Sequence, residues 1–214
     1  MEVYEAIRKR KSTRNYTDEE VKQEQIEQVL EAGRLAPFAG LAQAGKTDFR
    51  HFFVIKRGSE TAEKLMDLVL EARKEDLREV EEKHLEENYP VYAGAVRNGA
   101  GKKPTDLFMA PLLIVAAERA GRPAREHAAL GYVMENMWLR ATELGLGFKL
   151  CSGVSDVKDQ SAMKRLFGLP EEENYAFEGC SLGYAVSDLY REDVREIPEF
   201  DVTYLPCCLL YTSP

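Results

Sequence analysis

Five cationic side chains fall within seven residues in Arg8-Lys9-Arg10-Lys11-Ser12-Thr13-Arg14, and Asn15-Tyr16 follow. A hydroxyl stands between two arginines in Arg10-x-Ser12-x-Arg14. Guanidinium forks and hydroxyl donors match the oxygens of a phosphate, so the cluster could hold one. Composition leaves two other uses open, a solvated basic turn or a nucleic-acid patch. The 214-residue chain carries a formal net charge of −8. A surface this acidic repels a polyanionic backbone, which argues against general nucleic-acid binding. The basic run is therefore a local site or an incidental turn.

Other constellations are weaker. Gly179-Cys180-Ser181-Leu182-Gly183 spells the G-x-S-x-G nucleophile elbow. That hydrolase needs a histidine after the serine, and the last histidine is His127, so we expect a turn at a strand end instead. Gly145-Leu146-Gly147 lacks the third glycine of a dinucleotide fingerprint and follows a helical pattern. Gly99-Ala100-Gly101-Lys102-Lys103 lacks the hydroxyl and the first glycine of a P-loop. His51, His84 and His127 are scattered, with no metal-ligand spacing, so no metal is expected. Cys151, Cys180, Cys207 and Cys208 show none either, and without a leader they read as reduced thiols of a cytoplasmic protein. No apolar run is long enough to span a membrane.

The elements that must position the basic turn follow from pattern. Residues 2–9 read as a short helix leading into it. Thr17-Asp18-Glu19-Glu20 reads as a capping box opening a second helix, with Val21, Ile26, Val29, Leu30 and Gly33 on its core face and Pro37 closing it. Residues 36–48 form a small-residue loop, of a length that is more often functional than idle. His51–Lys56 reads as a strand. Residues 59–88 suggest one long charged helix or a pair, lying solvated across the surface, and 89–106 an aperiodic mobile loop or lid. Pro111–Ala117 is the candidate central strand. A strongly apolar helix over 123–145 ends at Gly145, central to the fold or to a subunit interface. Phe148–Cys151 is a short strand and Ser152-Gly153 a turn. Asp156 caps a helix through Leu166, Tyr175–Tyr184 is a further strand, and Phe200–Leu205 resembles an edge strand. Residues 1–205 are taken as one domain, and 206–214 break the composition as an atypical, non-native tail.

These parts, in this order, resemble the nitroreductase-like flavoprotein family across roughly residues 3–205. Arg10, Ser12, Arg14 and Tyr16 match its Arg-x-Ser-x-Arg/Lys turn with a following aromatic. Ala36, Pro37 and Gln43 stand in register with its Ala-Pro-Ser-x-x-Asn-x-Gln-Pro-Trp loop. Ala110-Pro111, Leu144-Gly145-Leu146-Gly147 and Leu182-Gly183-Tyr184 match its later motifs. The loop departs from the pattern: Phe38 replaces Ser, Leu41 replaces Asn, and Ala44-Gly45 replace Pro-Trp.

The resemblance implies an α+β three-layer sandwich with a mostly antiparallel sheet between helices. It implies a homodimer with FMN in the subunit interface and a C-terminal arm, residues 199–205, embracing the partner. By the same correspondence Arg10, Ser12 and Arg14 hold the phosphate and ribityl chain, with Lys11 contributing through its backbone. Pro37, Phe38 and Ala39 line the flavin from the partner, Gln43 binds the cofactor from the same loop, and Ser152 and Gly153 offer N–H groups to the flavin N5 edge. Arg195 and Arg191 reach back to the phosphate. The implied activity is an FMN-dependent oxidoreductase taking hydride from NADH or NADPH to nitroaromatics, quinones or related small acceptors in ping-pong order. No side-chain acid or base stands out as catalytic. A flavin-binding protein that stores or delivers FMN without turnover is the alternative, motivated by the altered 38–45 loop. An interaction domain with an incidental basic turn is the third.

Overall fold

Two buried strands with helices on both faces set the architecture. The computed structural model describes residues 1–38, 40–187, 189–190 and 202–203. The arm 199–205 outside positions 202 and 203, the tail from 204, Ala39, Arg191, Arg195, Cys207 and Cys208 lie outside the described residues. The elements are α1 (Val3–Lys9), α2 (Gln23–Arg34), β1 (Arg50–Lys56), α3 (Glu60–Glu82), α4 (Pro90–Ala100), β2 (Leu112–Arg119), α5 (Glu126–Glu143), β3 (Gly147–Leu150), α6 (Gln160–Phe167) and β4 (Tyr175–Gly183).

The strands form one antiparallel sheet in the order β1-β2-β4-β3. Strand β2 pairs on both sides, and its residues from Leu112 to Glu118 are all buried, so the expected central strand is central. On one face Ile114, Ala116, Cys180 and Leu182 meet Val29 of α2 and Leu130, Val133, Met137 and Trp138 of α5. On the other, Leu113, Val115 and Phe177 meet Leu65 and Val69 of α3 and Met163 of α6. The result is the expected α+β sandwich of three layers. Burying each such side chain contributes about 1.5–3 kcal/mol.

Helix α2 approaches α5 so closely that a Cβ on Gly33 would stand 2.9 Å from the Met137 sulfur. Helix α5 ends in paired bonds, Gly145 N–H to Thr142 O at 3.2 Å and Leu146 N–H to Ala141 O at 2.8 Å, with Gly145 at φ 75°. Only glycine takes that conformation without strain, so Gly145 stops the helix as its sequence position suggested.

Four expectations fail for identifiable reasons. The capping box does not open α2: Thr17 Oγ1 accepts the Glu19 N–H at 3.4 Å in a local turn, and the helix starts at Gln23. Asp18 and Glu20 pair instead with Arg57 and Lys56. Helix α3 is core rather than surface cover, with Ala62, Leu65, Met66, Val69 and Ala72 buried. Its charges fill only the outward faces. Residues 90–100 are helix α4, not an aperiodic loop: Pro90 sits at its first turn, where a missing N–H costs nothing, and Ala93 and Ala100 are buried where α4 packs on α3. Asp159, not Asp156, caps α6, accepting the Ala162 N–H at 2.9 Å.

Candidate functional site

The basic turn is pinned across one end of the sheet. After α1 the backbone opens to ψ 136° at Arg10, and Ser12 bridges Phe148 in parallel beyond the β3 edge. Thr13 N–H donates to Phe148 O at 2.9 Å, Val186 N–H to Asn15 O at 3.1 Å, and Thr17 N–H to Tyr184 O at 2.9 Å. Two glycines are its seats. A Cβ on Gly147 would lie 2.8 Å from Thr13 Cγ2, and one on Gly183 would lie 3.0 Å from Tyr16 Cδ1. The Leu-Gly-Leu-Gly and Gly-Tyr motifs thus have a local physical cause: they are where this turn lands.

The charges on the turn divide into two kinds. Arg10 is engaged, with Nε 2.9 Å from Glu135 Oε1 of α5 and its guanidinium 4.6 Å from the Trp138 ring centre. Trp138 in turn stacks on Phe148, ring centres 5.4 Å apart. Lys11 and Arg14 have no carboxylate partner among the described residues, and Arg14 is exposed. Ser12 is half-exposed, and the Thr13 hydroxyl is buried without a partner. Uncommitted cations and a free hydroxyl suit an anion such as a phosphate.

About 13 Å along β3 from Phe148 the chain turns at Ser152–Val154. Cys151 N–H donates to Gly179 O at 2.8 Å, and a Cβ on Gly179 would strike Val154 Cγ2 at 2.7 Å, so this turn is also seated on a glycine. The Ser152 carbonyl accepts three donors, Ser155 N–H at 2.8 Å, Asp156 N–H at 3.3 Å and Ser155 Oγ at 2.7 Å. The N–H groups of Ser152 and Gly153 donate to nothing among the described residues, and Ser152 is exposed. They are open donors at the end of the same strand that anchors the basic turn. Behind them Cys151 Sγ lies 3.1 Å from Ser181 Oγ, which donates to Leu107 O at 3.0 Å. Ser181 is fully buried within β4, neither at an elbow nor at a strand-end turn.

The 36–45 loop belongs to the other side of the molecule. Arg50, on β1, holds Glu118 of β2 in a bidentate pair at 2.5 and 3.2 Å, with both side chains at least 96% buried. The remaining donors of the same guanidinium clasp the carbonyls of Gly33 (2.9 Å), Ala36 (3.0 Å) and Pro37 (2.7 Å). Gln43 turns inward, donating to Ala120 O at 2.9 Å, with its own Oε1 buried and without a partner. Outward, the loop presents Leu35 (77% exposed), Phe38 (45%) and Leu41 (81%), with Phe38 tilted against Phe49.

Edge strand β1 lies three strand spacings, about 14 Å, from β3. One chain therefore brings Arg10, Lys11, Ser12 and Arg14 to the strand of Ser152 and Gly153, and keeps Pro37, Phe38 and Gln43 apart from them. The sequence carried no sign of the Arg50 clasp, because its partners lie up to 68 residues away. Clefts of about 370, 470 and 580 Å³ lie elsewhere and include no residue of the turn, the loop or the Ser152 segment. No helix among the described residues is long and apolar enough to cross a membrane.

Comparison with known proteins accords with this layout. The family model described as "Nitroreductase family" matches residues 7–184. Among solved structures, a nitroreductase with bound FMN from Bacteroides fragilis NCTC 9343 is 23% identical, with TM-score 0.65 over 95% of this chain and 100% of that one. A BluB-like flavoprotein from Clostridium difficile 630 is 20% identical, with TM-score 0.65 over 96% and 99%. The FMN and NADPH-dependent nitroreductase NfnB from Sphigopyxis sp. strain HMH is 17% identical, with TM-score 0.58 over 96% and 100%. At these identities the structures establish a shared fold. No curated protein matches the chain.

Proposed function

The chain belongs to the nitroreductase family, and from that premise we propose that it is an FMN-dependent oxidoreductase acting as a homodimer. The observation that carries this is the pairing, on one strand, of an uncommitted cationic turn with open N–H donors. Such a site suits an elongated molecule with a phosphate at one end and a flat ring at the other. Lys11, Ser12 and Arg14 hold the phosphate, and Arg10 adds the nitrogens that Glu135 leaves free. Arg191 and Arg195 belong to the same proposal from outside the described residues. Ser152 and Gly153 meet the ring edge. When bound, FMN supplies hydride transfer between NADH or NADPH and a nitroaromatic, quinone or related small acceptor.

A second copy is needed because the 36–45 loop of one chain lies a sheet-width from its own Ser152 turn. Pro37, Phe38 and Ala39 then cover the ring of the partner's site, and Gln43 serves by anchoring the loop. The exposed apolar residues Leu35, Phe38, Leu41, Val3, Tyr4 and Tyr132 offer surface for that contact. Residues 1–205 act as one domain, and 199–205 as the arm toward the partner.

The purified protein is expected to be yellow, to bleach anaerobically with NADH or NADPH, and to recover colour with a quinone. Initial rates should give parallel double-reciprocal lines, and the mass in solution should be that of two chains. A colourless protein that takes up no FMN would sink the proposal. The inward Gln43 amide favours one other reading, FMN storage or delivery, which predicts bound flavin that neither nicotinamide bleaches.

A further inference from the structure

The cations of the basic turn are not equally free. Lys9 pairs within α1, its Nζ 2.6 Å from Glu5 Oε1, and the Arg8 guanidinium lies 5.7 Å from the ring centre of Tyr4 in the same helix. Among the described residues, Arg10 is the one cation of the turn that meets a carboxylate from another element, Glu135 of α5.

Glu135 and Trp138 stand three residues apart on α5, a spacing that puts side chains on one face of a helix. They present an anion and a ring to the same guanidinium. Its centre lies 4.6 Å from the Trp138 ring centre, and the buried Trp138 is backed by Phe148 at 5.4 Å. Stacking on so well supported a ring fixes the plane of the guanidinium. Glu135 contributes differently. Its Oε1 is 2.9 Å from Arg10 Nε, yet the Nε–H is aligned on no acceptor among the described residues. The contact is therefore an attraction of charges rather than an orienting hydrogen bond. Glu135 itself is half-exposed.

We propose that Glu135 acts on the ligand through Arg10, as a resident counter-ion that competes with a phosphate for the guanidinium. This rests on the FMN reading above. Trp138 keeps the fork of Arg10 in place, and the carboxylate balances its charge until a phosphate takes over. A dianionic phosphate held by Lys11, Ser12 and Arg14 then has a fixed negative charge beside it. Across a half-exposed gap at moderate salt, such a charge costs about fivefold in affinity. The turn thus keeps its central cation ordered when unliganded and releases a phosphate more readily than three unpaired cations would.

Fluorescence titration of the full chain with FMN, and with riboflavin as the ligand that lacks the phosphate, tests the counter-ion. Glu135→Gln keeps the shape of the side chain and removes its charge. It should bind FMN about fivefold more tightly than the native chain, with riboflavin affinity unchanged, and its advantage should shrink as salt rises. In Arg10→Ala nothing holds the carboxylate beside the turn, so adding Glu135→Gln should then gain little. Weaker FMN binding in Glu135→Gln means that the carboxylate orients Arg10, and equal binding that its charge does not reach the ligand; either result overturns the counter-ion. An equal gain for riboflavin, or a full gain in the Arg10→Ala background, overturns it as well. Trp138 is the only tryptophan of the chain, so inorganic phosphate titrated against its emission reads the same competition without a flavin. Half-saturation there should come at lower phosphate in Glu135→Gln. A chain that follows this phosphate pattern but binds no FMN overturns the functional proposal and keeps the counter-ion. FMN bound equally by both proteins overturns the counter-ion alone.

Discussion

The basic turn at 8–16 and the loop at 36–45 both leave their helices for a bend, yet they treat polarity in opposite ways. The turn is fixed by backbone hydrogen bonds and glycine seats, which leaves Lys11, Ser12 and Arg14 without side-chain partners among the described residues. The loop is fixed by side chains, Arg50 and Gln43 bonding inward to carbonyls, which leaves Phe38 and Leu41 facing outward. Anchoring by backbone frees side chains for an ionic ligand. Anchoring by side chains leaves an apolar surface for a ring or a protein. In the proposed dimer, that contrast assigns the ionic end of the site to one chain and the apolar end to its partner.

The largest test of that contrast is Arg50→Ala. It strands the Glu118 carboxylate in the core and releases three loop carbonyls, so unfolding by urea should show a loss of about 3–5 kcal/mol. The turn should survive such a change wherever the fold does. Gly147→Ala is the counterpart for the turn. A Cβ there overlaps Thr13, so a loss of about 1–3 kcal/mol is expected in the same assay, partly restored by Thr13→Ala, which removes the two closest atoms. Full stability in Gly147→Ala would mean the turn is not seated there.

Arg14→Ala should weaken FMN binding about tenfold, the worth of one charge-assisted contact, without lowering stability. Fluorescence titration of FMN checks it. Phe38→Ala should change that affinity by less and act instead on acceptor preference. Equal losses from Arg14→Ala and Phe38→Ala would erase the division of labour. Smallest is a pH effect on stability. The Glu178 pKa is raised on folding, so in the window above the ordinary carboxylate value the native state holds a proton that the unfolded chain has lost. Stability therefore falls as pH rises through that window. Glu178→Gln should melt progressively higher than the native protein as pH rises through it, and an unchanging difference between them would contradict this.

Much of this was legible because it is local. Strand β2 announced itself as an unbroken apolar run, α5 by its periodicity and Gly145 stop, and the basic turn by charges against an acidic background. What was not legible depends on distance. The glycines of the later motifs look like generic turn formers until Thr13 and Tyr16 are seen resting on them. Arg50 reads as one more cation before a strand, and only the fold brings Gly33, Ala36, Pro37 and Glu118 to its fork. Helix α4 has little periodicity of its own and is held by α3. The capping box failed because the Thr17 N–H it would satisfy is already bonded to Tyr184 O, while Asp18 and Glu20 pair with cations at the end of β1.

The pair of thiols behind the Ser152 turn has a practical consequence. Cys151 and Cys180 are buried, and burial pushes both thiols above their ordinary pKa, so neither offers a thiolate to an electrophile. In the folded chain they should be silent toward alkylating probes and toward any peroxide formed nearby. Opening of the sheet unmasks them. The rate at which peptides carrying these two cysteines become labelled then measures how often strands β3 and β4 come apart, and bound cofactor should slow that clock.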